Sequence, residues 1–598
     1  MREMLRQTWD LESLFPGGSN SDKLRAAVAA LQADFLELTA QLKTFPAGDE
    51  AARRLAPLIL AAENISARLE EAASFVGCLQ AQDISDKKAD LWEGRINELA
   101  ALNEAMWTLL EGLLVRFDEP SWNEFTALPD MAPVAFALHE AREIARDKLD
   151  AEREILITDL AVDGYHAWEH LRNTVVGRMK VVVEENGERK SYSVGQADNE
   201  MDGPDRAHRE AVFRAWTKSW SDEAELCALA LNHIGGFRLQ IYRHRGWETV
   251  LKDPLRRNRM TQGTLDAMWQ AVDESKASLV RYLERKARLI GVDRLSWHDV
   301  EAPLVTGGPE PRVTYEEARD FIVKHFAGFS EDMAAFADQC FKWAWIEAED
   351  RPGKRPGGFC TSLPISGQTR IFLTFGGVPS SVTTLAHEIG HSYHQHVMEG
   401  MPFLAQQYAM NVAETASTLA EMVVSSAALA GAQGDGRQIA MMDDKLRRAV
   451  SFLMDIHARF LFERAFYDRR GQGLLSVEEL NDLMLEAQRT SFRGALGEYH
   501  PEFWASKLHF YITSPPFYNF PYTFGYLFSA GVYAEGKRRG ASFAARYVDL
   551  LRDTGSMTVE ELAQKHLGAD LTQPDFWRSA TAVALEDLPE FLRRTEGM

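Results

Sequence analysis

A chain of 598 residues, 45% apolar and 26% charged, has the balance of an ordinary folded protein and length for roughly four units of about 150 residues. Its formal net charge of −22 argues against a nucleic-acid binder, which needs a basic stripe to meet phosphates, and acidity of this kind more often serves solubility than recognition of basic substrates. The opening run MREMLRQTWDLESLF lacks the apolar core of a secretory signal, no stretch approaches 18 uninterrupted apolar residues, and four scattered cysteines (Cys78, Cys227, Cys340, Cys360) form no C-x-x-C, so a cytoplasmic protein without disulfides, thiolate metal site or membrane span is expected.

In chain order, most segments read as helix. From Ser21 to about Leu42, an N-cap candidate precedes Leu24, Val28, Leu31, Phe35 and Leu38 at helical spacing. Similar patterns run from about Ala51 to Leu79, Lys88 to Leu114 and Pro133 to Lys148, with no fixed-period repeat among them. Lys180 to Val194 (KVVVEENGERKSYSV) breaks the pattern with two strand-like runs about Asn186-Gly187, a strong hairpin signal because both turn positions need positive φ. That hairpin marks an expected seam, with an N-terminal helical lobe over residues 1–195 and a catalytic helical lobe over residues 196–598. Further on, RPGKRPGGFC from Arg351 reads as loop, and Arg370 to Phe375 (RIFLTF) as a strand ended by Gly376-Gly377. Ser380 and Ser381, after Pro379, then offer an N-cap for a helix whose buried stripe is Val382, Leu385, Ile389, Tyr393 and Val397.

The chemistry sits on that helix. Residues 387–391 read HEIGH, an H-E-x-x-H motif. Positions i and i+4 share a helix face about 5–6 Å apart, so His387 and His391 can both reach one zinc ion. Glu388 is turned by about 100° from them along the helix, placing it for general-base work on a water rather than for ligation. Three protein ligands make an open, catalytic type of zinc site, and the third is expected downstream. In VAETASTLAEMVV (412–424), Glu414, Ser417, Thr418 and Glu421 stand at i, i+3, i+4 and i+7, one polar stripe on an apolar helix. A metal explains Glu414, since buried carboxylates are costly unless paired or metal-bound. Glu421, two turns on, suits an acceptor orienting a ligating histidine. His394 and His396 are expected to pack or hydrogen-bond rather than ligate. Near the C-terminus, HFYITSPPFYNFPYTFGYLF (509–528) clusters aromatics beside His509; tyrosine or histidine can donate a hydrogen bond to a developing oxyanion, although such clusters more often build cores.

GKRPGGFC, TLAHEIGHSYHQH, AETASTLAE, HFY and PFYNFPYTFGY together resemble the oligoendopeptidase F branch of the thimet oligopeptidase family of zinc metallopeptidases. Weaker likeness in LNHIGGFRLQIYRHRGW and PLRRNRMTQGTLDAM extends the resemblance over most of the chain. It implies a mainly α fold, two helical lobes enclosing a deep substrate channel, and a small β element beside a zincin-type H-E-x-x-H helix. It also implies one Zn²⁺ per chain held by His387, His391 and Glu414, Glu388 as general base, and His509, Tyr518 and Tyr522 against the substrate carbonyl. The ITSPP stretch lengthens the spacing from His509 to the tyrosines relative to that branch, leaving Tyr511 and Tyr526 as alternatives. The activity implied is endopeptidase cleavage of short unstructured oligopeptides, with the peptide extended along the Arg370–Phe375 strand and the glycines at 357–358 and 376–377 allowing close approach. An aminopeptidase, or a non-catalytic helical peptide-binding protein that keeps the motif, would share the metal ligands.

Overall fold

The computed structural model describes residues 5–46, 51–185, 187–304 and 312–598. The described residues are mainly helical, with one two-stranded and one three-stranded sheet. The elements used below are α1 (Asp22–Lys43), α2 (Ala51–Gln82), α3 (Lys87–Leu114), α4 (Ala167–Arg178), β1 (Val181–Glu185), β2 (Glu188–Tyr192), α5 (Ala224–His244), β3 (Ile346–Glu347), β4 (Phe359–Leu363), β5 (Gln368–Phe372), α6 (Pro379–Val397), α7 (Thr415–Gly431), α8 (Ile456–Arg470) and α9 (Phe520–Arg539). No helix among the described residues is long and apolar enough to cross a membrane.

The chain forms two compact units of interleaved segments. The first joins Met1–Lys148, Pro309–Ala428 and Glu535–Gly568; the second joins Leu149–Gly308, Leu429–Ala534 and Ala569–Met598. The boundary expected at 195/196 falls inside the second unit, just after the β1–β2 hairpin, which pairs Val181 with Tyr192 through Glu185 with Glu188. Gly187 takes φ 81°, as a tight hairpin turn requires, while Asn186 lies outside the described residues.

In the first unit, α1 begins where the Ser21 side chain accepts from the Leu24 amide, satisfying a donor that the helix itself cannot. Its stripe Leu24, Val28, Leu31, Phe35, Leu38 and Leu42 is buried against α2 and α3. Their shared core runs from Trp9 to Leu138 and takes in Leu363 of β4 and Phe372 of β5, so the N-terminal helices and the sheet exclude water together. The sheet order is β3-β5-β4, with β3 parallel and β4 antiparallel to β5. The strand expected at 370–375 begins two residues earlier, and the Leu373 and Phe375 amides carry the pairing onward to the Glu347 and Ala348 carbonyls at 3.0 and 2.9 Å. Arg370 is fully buried on β5; its Nε and Nη2 donate to the Asp10 carbonyl at 3.0 and 2.7 Å, and Nη1 to the Thr369 carbonyl at 2.7 Å. Those bonds allow a guanidinium to sit where an unpaired cation would be costly.

Candidate metal centre and aromatic cluster

The helix α6 starts with Pro379 at its first position, where a missing amide is harmless. Ser380 and Ser381 therefore lie inside the first turn rather than capping it, and the Ser381 hydroxyl instead accepts from the Gly376 amide at 3.2 Å. The expected stripe Val382, Leu385, Ile389, Tyr393 and Val397 is buried throughout. Burying that stripe turns His387 and His391 to one common side, their ring centroids 4.9 Å apart.

Glu414 sits at a one-residue break between a short helix, Met410–Ala413, and α7. Its Oε2 lies 3.3 Å from Nε2 of His387 and 3.3 Å from Nε2 of His391. The three ligand atoms fall within 4.8 Å of one another. Ser417 donates its hydroxyl to the same Oε2 at 2.7 Å, and Glu421 Oε2 stands 3.3 Å from His387 Nδ1, fixing the ring so that Nε2 points at Glu414. Burial would raise the Glu414 carboxyl, but His391, His387 and Ser417 outweigh it and hold it at about 2. Two imidazole nitrogens and one ionised carboxylate oxygen, with no thiol among them, are the donor set that zinc accepts.

Helix packing explains the convergence. A Cβ on Gly390 would stand 2.6 Å from Ser417 Cα and 2.7 Å from the Ala416 carbonyl oxygen, so only glycine lets α7 come this close to α6. Glu414 thus reaches the two histidines through backbone contact at the fourth residue of HEIGH, a dependence that the motif does not reveal.

Glu388 is 6% exposed, and its Oε2 has no hydrogen-bond partner. Burial pushes its carboxyl up, with His387 and His391 pulling the other way. A Cβ on Gly358, just before β4, would lie 3.1 Å from Glu388 Oε1, so glycine at 358 keeps this carboxylate's place open. His394 is fully buried, its Nε2 2.9 Å from Thr554 Oγ1 and its ring stacked 4.2 Å from Tyr408; burial lowers it to about 3. His396 stacks on Phe336 at 4.3 Å.

One expectation is corrected by the sheet. β5 is the central strand, bonded to β3 on one side and β4 on the other, so no peptide can add along it. Ile371 and Leu373 donate toward the β3 side, which turns Phe372, Arg370 and Gln368 toward β4. By the alternation of antiparallel pairing, the amides and carbonyls of Cys360 and Ser362 face away from β5, along the outer edge of β4.

The second unit holds the aromatic segment. His509, in a single 3-10 turn (Leu508–Phe510), meets Tyr518 at 5.5 Å and Tyr522 at 6.0 Å between ring centroids; the tyrosines stand 5.9 Å apart. All three are half-buried. Tyr511 is fully buried with Arg172 over its ring at 5.1 Å, and Tyr526 is stacked 4.6 Å from Phe452, so both alternatives serve the core. Burial, with Arg459 and Lys507 beside it, lowers His509 to about 4, leaving a neutral imidazole at pH 7.

A mainly helical chain with H-E-x-x-H histidines converging on a downstream glutamate has the donor set of a metallohydrolase, and its family match and relatives place it among the metalloendopeptidases. Residues 200–583, well over half of the chain, match the model of peptidase family M3, and residues 114–180 match that of oligopeptidase F; the chain belongs to peptidase family M3. It is 21% identical to oligopeptidase PepF of Bacillus subtilis over 98% of this chain and 86% of that protein. Among solved structures, a candidate peptidase from Chlamydophila abortus matches with TM-score 0.81 and 19% identity over 99% of each chain. Oligoendopeptidase-F from Enterococcus faecium matches with TM-score 0.69 and 18% identity over 96% of this chain and 100% of that one.

Proposed function

We propose that this chain is a zinc-dependent endopeptidase that hydrolyses internal bonds of short, unstructured oligopeptides. The observation that carries the reading is the meeting of His387 Nε2 and His391 Nε2 on Glu414 Oε2, beside a buried glutamate with a partnerless oxygen. Zinc held by those three residues would supply Lewis-acid polarisation and an acidified water. Glu388 Oε2 takes the proton of the attacking water and returns it to the leaving amine, work suited to a carboxyl raised by burial. Glu421 holds the His387 ring in the tautomer that leaves Nε2 free to ligate. As the family resemblance implies, Tyr518, Tyr522 and the neutral His509 would donate hydrogen bonds to the carbonyl oxygen as it gains charge. The outer edge of β4, at Cys360 and Ser362, offers main-chain hydrogen bonds to an extended peptide, selecting backbone over side chain. The names of the relatives, oligopeptidase and oligoendopeptidase, support the substrate class.

The test is cleavage of an internally quenched peptide of about ten residues by metal-free protein, by zinc-restored protein and by Glu388→Gln. Internal cleavage only with zinc, and a loss of about 10²–10⁴-fold in Glu388→Gln at unchanged zinc affinity, is expected. Release of single N-terminal residues would make it an aminopeptidase, and no cleavage of several unrelated peptides in any state would overturn the peptidase reading.

A further inference from the structure

Residues 505–519 carry His509 and Tyr518 yet contain only short helical turns, over Phe503–Ser506 and Leu508–Phe510. A loop bearing reactive groups loses precision unless other elements fix it. Here the fixing comes from side chains distant in sequence but within the same unit. Arg172 on α4 donates to the Ser506 carbonyl at 2.7 Å. From the turn preceding α4, Tyr165 donates to the Thr513 carbonyl at 2.5 Å, and His166 Nδ1 lies 2.9 Å from Thr513 Oγ1. Glu169 accepts from the Thr513 amide at 3.0 Å and from its hydroxyl at 2.7 Å. Arg238 on α5, 5% exposed, donates to the Ile512 carbonyl, to the Tyr165 hydroxyl and, at 2.7 Å, to the Tyr467 hydroxyl. Glu463 on α8, 3% exposed, accepts from the Phe517 amide at 3.0 Å.

Two features separate this clasp from ordinary core filling. Phe517 holds φ at 53°, a left-handed conformation unfavourable for a bulky residue, and Glu463 bonds the amide of that same residue. The next residue is Tyr518. Ile512 and Thr513, the other anchored pair, lie in the ITSPP stretch between His509 and the tyrosines. Burial pushes the Glu463 carboxyl up to about 7, with Arg238 and the Phe517 amide opposing it.

We propose that Arg238, Glu169 and Glu463 are positioning residues that hold the 509–519 loop in the conformation that brings His509, Tyr518 and Tyr522 together. The effect on catalysis rests on the reading of those three as oxyanion donors; the effect on loop order does not. The loop is thereby kept rigid, its donors set in place before substrate arrives.

The experiment uses the full zinc-loaded chain with Arg238→Met, Glu463→Leu and Glu463→Gln. Hydrogen exchange is followed in peptides spanning 508–519, beside kcat, KM and zinc affinity. In Arg238→Met and Glu463→Leu the Thr513 and Phe517 amides exchange about tenfold faster or more, and kcat falls about tenfold to a hundredfold, with KM within about threefold and zinc affinity unchanged. Glu463→Gln, which keeps an acceptor for the Phe517 amide, restores kcat to within about threefold of the parent. In a Tyr518→Phe/Tyr522→Phe background, Arg238→Met lowers kcat no further, the non-additivity expected of groups acting through one another. Unchanged exchange in the loop, or a full additional loss in that background, overturns the proposal. If the tyrosine substitutions alone leave kcat untouched, the oxyanion assignment falls and the exchange rates decide the clasp by themselves. Should Arg238→Met fail to fold, Thr513→Val, which removes one hydroxyl, reads the same exchange with a smaller shift.

Discussion

The metal centre and the aromatic cluster are built in opposite ways. His387, Glu388 and His391 lie within five residues on one helix, and Glu414 sits at the break just before α7, so their spacing comes from helix geometry and one close contact at Gly390. His509, Tyr518 and Tyr522 are spread over a 3-10 turn, a loop and the first turn of α9, and their approach depends on Arg172, Tyr165, Glu169, Arg238 and Glu463 elsewhere in the chain. Regular structure holds the groups proposed to ligate, while long-range polar anchors hold the groups proposed to donate. A site on helices is robust to distant change, and a site on a loop inherits the vulnerability of everything that ties the loop down.

Substitutions can break that contrast at either end. His391→Ala removes a proposed ligand outright, so zinc-dependent cleavage should fall to background, with stoichiometric zinc binding lost in the same sample; retained activity would detach the chemistry from the helix pair. Tyr518→Phe and Tyr522→Phe should separate into one donor whose loss lowers kcat by about 10²–10³-fold and one with a smaller effect, measured at unchanged zinc affinity. Equal and small losses would put His509 in the leading role. Gly390→Ala sharpens the metal side, because a methyl group there meets backbone rather than a flexible side chain. It should weaken zinc binding by about 10–100-fold and destabilise the fold by about 1–3 kcal/mol, seen by competition with a chelator and by denaturant unfolding. Glu421→Gln, which keeps the shape but weakens the bond to His387 Nδ1, should reduce zinc affinity less than Gly390→Ala does, within the same 10–100-fold range at most.

What was legible in the sequence follows the same division. Helix periodicity placed α1, α2, α3 and α6 to within a few residues, because each buries one apolar stripe whose spacing is local. The stripe Glu414–Ser417–Thr418–Glu421 pointed to the facing helix, though not to the break at Glu414 or to the Ser417 hydroxyl on its carboxylate. Strand pairing was not legible: RIFLTF reads equally well as an edge or a central strand, and only the partners β3 and β4 show it to be central. The aromatic segment suggested donors but not their arrangement, since Tyr511 and Tyr526 have the same residue type as Tyr518 and Tyr522 and differ only in what covers them. Arg238, Glu169 and Glu463 carried no sequence signal, because a hydrogen bond to a loop 54 to 344 residues away has no period.

The core shared by the N-terminal helices with Leu363 and Phe372 also bears on how the chain is made. A ribosome delivers Trp9 through Leu138 long before it delivers β4 and β5, and the second unit's Leu149–Gly308 segment emerges in between. The early helices must therefore wait with one apolar face uncovered while a segment of a different unit is synthesised, an interval in which nascent chains are prone to aggregate. Synthesis rate and chaperone supply, rather than the finished protein's stability, should then limit the yield of active enzyme.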